Sequence, residues 1–333
     1  MGKKVTIADI ANETGFSPAT VSRALSQKEM VNTDTYDLII DAVKRLGYKT
    51  PKLTLAAKKS AEPRILVVNV SDASNSFYSR IFEGIRSSAA NCGWSTMVNQ
   101  DPINAATLPQ FSKMLKSCNA VGLIVMNLVP PHVLDELLSI LPVVQCCEFD
   151  STAKAPYVGI DNYSAALNMV DYLIRQGHQK IAILNGPLNL KSEQERQRGY
   201  IAALERVGIA PNPNYMIRLP ASEYFIAYTA TKNLLQAHKS LDAIFAVADV
   251  LAFAAINAAK ELGYSVPRDI SIAGFDNIIF SEMSNPKIST INQPCFEIGF
   301  LSAEMIRKQC DDVHNVPQSI LVNTELILRE STC

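Results

Sequence analysis

Apolar positions set a helical rhythm at the very start of the chain. In Val5 to Arg23, VTIADIANETGFSPATVSR, residues Ile7, Ile10 and Ala11 recur at helical spacing and make one face of a first helix. Gly15 ends that helix, because glycine tolerates the left-handed backbone of a tight turn. Ser17 is a good N-cap for a second helix, and Pro18 falls at its first position, where a missing N–H costs nothing. Val21 and Leu25 point back into the same small core, which leaves Ala19, Thr20, Ser22 and Arg23 facing outward. Two short helices across a tight turn predict a helix-turn-helix. A third helix begins at Asn32 with Thr35 in its first turn. Tyr36, Ile39, Ile40, Val43 and Leu46 form its apolar stripe, and Gly47 ends it.

After residue 63 the rhythm changes. Residues 49–63, KTPKLTLAAKKSAEP, are basic, bounded by prolines and too short to fold alone. The head is therefore placed at 1–49 and a linker at 50–63. Short apolar runs then alternate with helical stretches: RILVVNV at 64–70, STMVN at 95–99, VGLIVM at 121–126, PVVQCC at 142–147, KIAILN at 180–185, DAIFAV at 242–247 and DISIAGF at 269–275, with Phe77 to Cys92 helical. That order predicts an α/β fold with doubly wound parallel sheets. Residues 64–333 exceed what one such sheet needs, so two similar lobes are expected. They divide near Asp161–Ser164, into an N-lobe over about 64–161 plus a C-terminal crossover segment and a C-lobe over about 162–291 plus a returning C-terminal strand. The last element, Ile320 to Leu328, reads as a strand that returns to one lobe. Ligands in such folds bind outside the carboxyl ends of strands or between lobes.

Composition narrows the class. With 48% hydrophobic residues the chain is globular rather than disordered. No apolar run approaches membrane-span length and no signal sequence precedes the head, so a cytoplasmic protein without a membrane partner is expected. Residues 1–60 hold ten Lys/Arg against six Asp/Glu, while the remainder hold 21 against 26. A small basic head on a mildly acidic body suits contact with double-stranded DNA by the head alone. The seven cysteines, Cys92, Cys118, Cys146, Cys147, Cys295, Cys310 and Cys333, show no metal-ligand spacing and read as reduced, mostly buried hydrophobes. Strand alternation puts Cys146 and Cys147 on opposite faces, which argues against a redox pair. No Gly-x-Gly-x-x-Gly, Walker loop or Gly-x-Ser-x-Gly elbow is present, and the four histidines pair with no nucleophile. No cofactor, metal site or catalytic set is expected. A sugar- or nucleoside-acting enzyme and a solute-binding protein without regulatory role are the competing readings, and the head argues against both.

The stretches VTIADIANETGFSPATVSRAL, GIDNYSAALNMVDYLIRQGHQKIAIL, RQRGYIAAL, ISIAGFDN, NPKISTINQP and ELILREST, in this order, resemble the lactose-repressor/galactose-repressor family of bacterial transcription regulators over essentially the whole chain. The stretches CCEF, DNY and GFDN look slightly more like its cytidine-responsive branch. The resemblance implies a helix-turn-helix head, a hinge that enters the minor groove, and a two-lobed effector domain like a periplasmic sugar-binding protein. It further implies a homodimer on a pseudo-palindromic operator, released or recruited allosterically by a sugar or nucleoside. The family hinge carries a leucine that wedges between base steps. Here Tyr48-Lys-Thr-Pro51 has one extra residue and position 58 is Lys, so either Leu53 or Leu55 takes the wedge or the hinge stays poorly ordered.

Arg23 is the candidate base reader, since a guanidinium can donate two bonds to guanine O6 and N7. Pro18 and Ala19 are too small to hydrogen-bond bases, though Ala19 can touch a thymine methyl. The resemblance assigns phosphate contacts to Thr6, Ser17, Ser22, Thr35 and Tyr48, and places Thr20 on the same helix. In the body it assigns effector contacts to Arg196, in Arg-x-x-Gly-Tyr, and Asp276, in AGFDN. It assigns the same role to Glu148 after a strand end, to Asp249 of a usual Asn-Asp pair, and to Phe77 as an aromatic wall. Ala248 replaces the Asn of that pair, and Ser222 stands where a stacking aromatic is usual.

Overall fold

The computed structural model describes residues 6–18, 20, 21, 24, 31–46, 63–312 and 317–332. The chain divides into two bodies, 1–62 and 63–333. In the first, α1 (Ile7–Thr14) and α2 (Thr33–Leu46) flank a stretch in which Pro18, Thr20, Val21 and Ala24 are helical. Ile10, Ala11, Val21, Ala24, Ile39 and Ala42 close a core of their own. Leu25 and Gly47 lie outside the described residues.

In the second body, β1 (Ile65–Asn69), β2 (Ser95–Asn99), β3 (Ala120–Val125), β4 (Val143–Cys146), β5 (Tyr157–Gly159) and β11 (Ile320–Leu321) form a sheet in the order β11-β5-β4-β3-β1-β2, every pairing parallel. Alternation sorts its side chains. Leu66, Val68 and Val70 face α3 (Phe77–Asn91) and α11 (Cys295–Asp311), while Val67 faces α4 (Leu108–Ser117) and α5 (Pro131–Leu138). Helices α3 and α11 cross at backbone contact. A Cβ on Gly84 would stand 2.0 Å from the Phe296 carbonyl oxygen, and one on Gly299 would stand 2.1 Å from that of Ile81.

The C-lobe sheet runs β7-β6-β8-β9, also parallel, from β6 (Ile181–Asn185), β7 (Met216–Arg218), β8 (Ala243–Ala246) and β9 (Ser271–Ala273). Helices α6 (Asn162–Arg175), α7 (Lys191–Arg206), α8 (Tyr224–Ala237) and α9 (Asp249–Glu261) cover it, followed by the short α10 (Ile279–Met283).

Two expectations are corrected. The segment 320–328 is not one strand returning to one lobe: β11 extends the N-lobe sheet, whereas β12 (Glu325–Ile327) pairs antiparallel with β10 (Thr290–Asn292). Ser331 then exchanges hydrogen bonds with Ile272 of the C-lobe, so the tail serves both. Nor do Cys146 and Cys147 point apart. Cys147 leaves the strand with φ of 67°, which breaks the alternation and brings the two sulfurs to 3.7 Å.

Candidate functional site

In the head, local chemistry sets the helix starts. The Thr6 N–H donates to Asp9 Oδ2 at 2.8 Å and the Asp9 N–H donates to Thr6 Oγ1 at 3.4 Å, a reciprocal capping box. Gly15 closes α1 at φ 73°. The Thr20 N–H donates to Ser17 Oγ at 3.1 Å, and the Thr35 N–H to Asn32 Oδ1 at 2.8 Å. Thr6, Ser17 and Pro18 are exposed, and Thr20 and Thr35 half-buried. Ala19, Ser22, Arg23, Tyr48, Leu53 and Leu55 lie outside the described residues.

Between the lobes lies a cavity of about 150 Å³ whose walls include Phe77, Glu148, Arg196 and Asp276. A wider recess of about 720 Å³ adjoins it and shares Phe77, Asp276 and Gln293. Arg196 projects from α7 and sets its guanidinium carbon over the Phe275 ring, 3.9 Å from the centroid. Its Nε donates to Asn162 Oδ1 at 2.9 Å and its Nη1 to the Val247 carbonyl at 2.7 Å. Nη1 is also 3.8 Å from Asp276 Oδ1. Asp276 follows β9 with φ of 107°, a backbone conformation that few side chains adopt, and accepts from Gln293 Nε2 at 2.7 Å. Burial pushes its carboxyl up to about 6, against the opposing pull of Arg196 and Gln293.

Glu148 crosses from the N-lobe to the C-lobe. Its Oε2 accepts from the Lys191 N–H at 3.1 Å and the Ser192 N–H at 3.4 Å, and Oε1 accepts from the Ser192 hydroxyl. Phe77 opens α3 and meets Tyr78 edge-on at 5.3 Å. Asp249 is turned elsewhere, which corrects its assignment as an effector contact. It is fully buried, its Oδ1 accepts from Thr290 Oγ1 at 2.6 Å, and its Oδ2 accepts from the Ile278 N–H at 2.8 Å. It thus ties α9 to the loop after Asp276 and forms no part of the cavity wall. Arg198 is outside the cavity too, paired with Glu195 at 2.7 Å.

Residues that the sequence reading did not single out complete the cleft: Asn162, Gln293, Tyr78 and above all Glu193. Glu193 is the i,i+3 neighbour of Arg196, a spacing that puts both on one helix face. Among the described residues no cluster of His, Cys, Asp or Glu could hold a metal ion, and no helix is long and apolar enough to cross a membrane.

A capped-helix head joined in sequence to a two-lobed parallel α/β body, with polar groups converging between the lobes, defines the class of ligand-responsive transcription regulators. The family description "Bacterial regulatory proteins, lacI family" matches residues 6–51, and "Periplasmic binding protein-like domain" matches residues 170–332. The HTH-type transcriptional repressor CytR of Escherichia coli (strain K12) is 32% identical over 329 residues, covering 98% of this chain and 96% of that protein. A LacI family transcriptional regulator from Enterococcus faecium with bound ribose superposes with a TM-score of 0.72 at 26% identity, covering 81% of this chain and 98% of that one. The lac repressor dimer bound to operator and an anti-inducer shares the fold, with a TM-score of 0.73 at 24% identity and 99% of each chain covered. The chain belongs to the lacI family of bacterial regulatory proteins. It is a DNA-binding transcription regulator, and its relatives are regulators rather than enzymes.

Proposed function

We propose that this protein is a cytoplasmic repressor, without turnover of its ligand, whose grip on a pseudo-palindromic operator is set by a small polar molecule held between the lobes. The head is 1–49, the linker 50–63 and the effector and dimerisation domain 64–333. The observation that carries the reading is the buried pair of Arg196 and Asp276 on the cavity wall, 3.8 Å apart and both under a tenth exposed. A guanidinium and a carboxylate side by side can donate to and accept from neighbouring hydroxyls of a sugar or a ribosyl group. Phe77 supplies an apolar wall and Glu148 the contact between lobes. In this reading Asp249 holds the site's backbone and leaves the ligand to the others.

Ligand in the cleft alters how the lobes meet, which changes whether two heads in a homodimer match two half-sites at once. Phe225 on α8 and Met283 on α10 are exposed apolar side chains of the C-lobe that a second copy would cover. Arg23 reads a base, and Leu53 or Leu55 wedges in the minor groove. Thr6, Ser17, Ser22, Thr35 and Tyr48 meet phosphates, while Pro18, Ala19 and Thr20 shape the contact surface.

The test is selection of DNA fragments from a random pool by the full-length protein, followed by anisotropy of the selected fragment with sugars and nucleosides added. An inverted repeat is expected, with Arg23→Ala relaxing one position in each half-site and costing about 1–3 kcal/mol. A compound that shifts DNA affinity should also stabilise the body by about 2.7 kcal/mol at a hundred times its Kd. Enrichment of no repeat, or ligand effects untouched by Phe77→Ala, would overturn the reading.

A further inference from the structure

One acidic atom beside the cavity, closed to solvent, is unanswered. Glu193, in the first turn of α7, is 5% exposed, and its Oε2 finds no hydrogen-bond partner among the described residues. It lines the same cavity as Arg196 and Asp276. The other two carboxylates there are already matched. Asp276 faces Arg196 and Gln293, and Glu148 is spent on the N-terminus of α7. The end of β6 packs directly against the Glu193 carboxyl, where a Cβ on Gly186 would come 2.8 Å from Oε1 and 3.1 Å from Ser222 Oγ. Glycine at that position lets the strand end approach so closely.

Burial pushes the Glu193 carboxyl up to about 7; Arg196 and the Gly186 N–H oppose this, and Asp276 and Glu148 add to it. A buried polar atom left without a partner keeps the cost of its lost hydration uncompensated. Above about pH 7 the carboxylate is ionised and only accepts, so a ligand group that answers Oε2 there must donate a hydrogen. A hydroxyl donates but also brings lone pairs into an acidic neighbourhood, whereas an ammonium or a ring-conjugated amino group only donates.

We propose that the molecule held in the cleft carries an amino group and that Glu193 Oε2 accepts its N–H, which makes Glu193 the residue that separates amino-bearing ligands from hydroxyl- or oxo-bearing ones. This rests on the reading of the cleft as the effector site. The shared chemistry is an N–H donor on a small ring, borne by an amino sugar or by an aminated nucleobase.

Isothermal titration of the full-length protein against three matched pairs tests it: glucosamine and glucose, cytidine and uridine, adenosine and inosine. At pH 8 the amino member of at least one pair should bind about tenfold to a hundredfold tighter than its partner, the worth of a hydrogen bond to a charged group. Which pair responds distinguishes a sugar from a base. Glu193→Gln keeps the shape of the side chain and should erase most of that preference. Glu193→Asp, which withdraws the carboxylate by one methylene, should weaken the amino member and leave the other unchanged. Equal binding within every pair, or a preference that survives Glu193→Gln, overturns the proposal. Binding of amino-free members alone, lost with Phe77→Ala and indifferent to Glu193→Gln, removes this inference and keeps the cleft reading. Silence of every compound removes both.

Discussion

Glu148 of the N-lobe caps a helix of the C-lobe through Ser192, whose backbone N–H lies 3.4 Å from the carboxylate and whose hydroxyl also donates to it. A carboxylate at a helix N-terminus satisfies orphan N–H groups and meets the positive end of the helix dipole. Here cap and helix belong to different lobes, so the cap is also a clasp across the cleft. Glu148→Ala is expected to lower the stability of the body by about 1–2 kcal/mol and to enlarge the ligand-free protein in small-angle scattering. A lower melting temperature with unchanged dimensions would mean that the carboxylate stabilises α7 without holding the lobes together.

The ionisation of Glu193 gives the body a measurable pH dependence. Its carboxyl is raised from 4.5 to about 7 in the folded state, so the native protein binds the extra proton between those values. A group whose folded value is raised weakens the fold as pH climbs through that window, and the loss is complete above about 7. Glu193→Gln removes this contribution. Relative to the native protein it should be neutral near pH 4.5 and increasingly stabilising up to pH 8, by up to the order of 3 kcal/mol. Paired urea melts at pH 5 and pH 8 read the difference directly. A constant offset between the two proteins at both pH values would show that Glu193 does not titrate in that range.

The parallel strands were legible because each presents a run of buried apolar residues long enough to stand out, as in RILVVNV, VGLIVM and KIAILN. Tyr157–Gly159, Met216–Arg218 and Thr290–Asn292 escaped notice, since three residues carry no period and are held by partners distant in sequence. The bend at Cys147 escaped for a related reason: alternation assumes that the strand continues, and a left-handed residue ends it. At the cleft, Arg196 and Asp276 stood in recognisable motifs. Asp249 has the same local setting as Asp276, a carboxylate just past a strand end. Thr290 and Ile278, from another part of the fold, turn it inward. Glu193 looked like an ordinary acid in a helix's first turn, where the dipole alone would favour it. Its missing partner exists only as a fact of three dimensions.

The crossing of α3 and α11 should tolerate no added carbon. Gly84→Ala would place a methyl 2.0 Å from the Phe296 carbonyl oxygen, and Gly299→Ala one 2.1 Å from that of Ile81. Both neighbours are helix backbone, which cannot step aside as a side-chain tip can. Each substitution is expected to cost about 1–3 kcal/mol or more, despite the gain in helix propensity of about 0.5–1 kcal/mol that alanine brings. Chemical denaturation would check this; a variant as stable as the native protein would mean that the helices part without loss.

The Arg196–Asp276 pair makes a sharper demand, because each partner has other work. Arg196 is held by Asn162, the Val247 carbonyl and the face of Phe275, so its removal leaves Asp276 buried with Gln293 as its remaining side-chain donor. Breaking a buried ion pair in this way costs about 3–5 kcal/mol, mostly for the charge left behind. Arg196→Ala should therefore be strongly destabilising at pH 8, and adding Asp276→Asn should restore part of the loss, because the stranded charge goes with it. The two substitutions together should fall short of their sum by about 1 kcal/mol or more. At pH 5 Asp276, raised to about 6, is already largely protonated, so the pair interaction is absent and the coupling should shrink towards zero. A double-mutant cycle of melts at the two pH values measures both quantities. Strict additivity at pH 8 would mean that the two groups do not feel each other across 3.8 Å, and that Arg196 stabilises the cleft through Asn162, the Val247 carbonyl and the Phe275 ring alone.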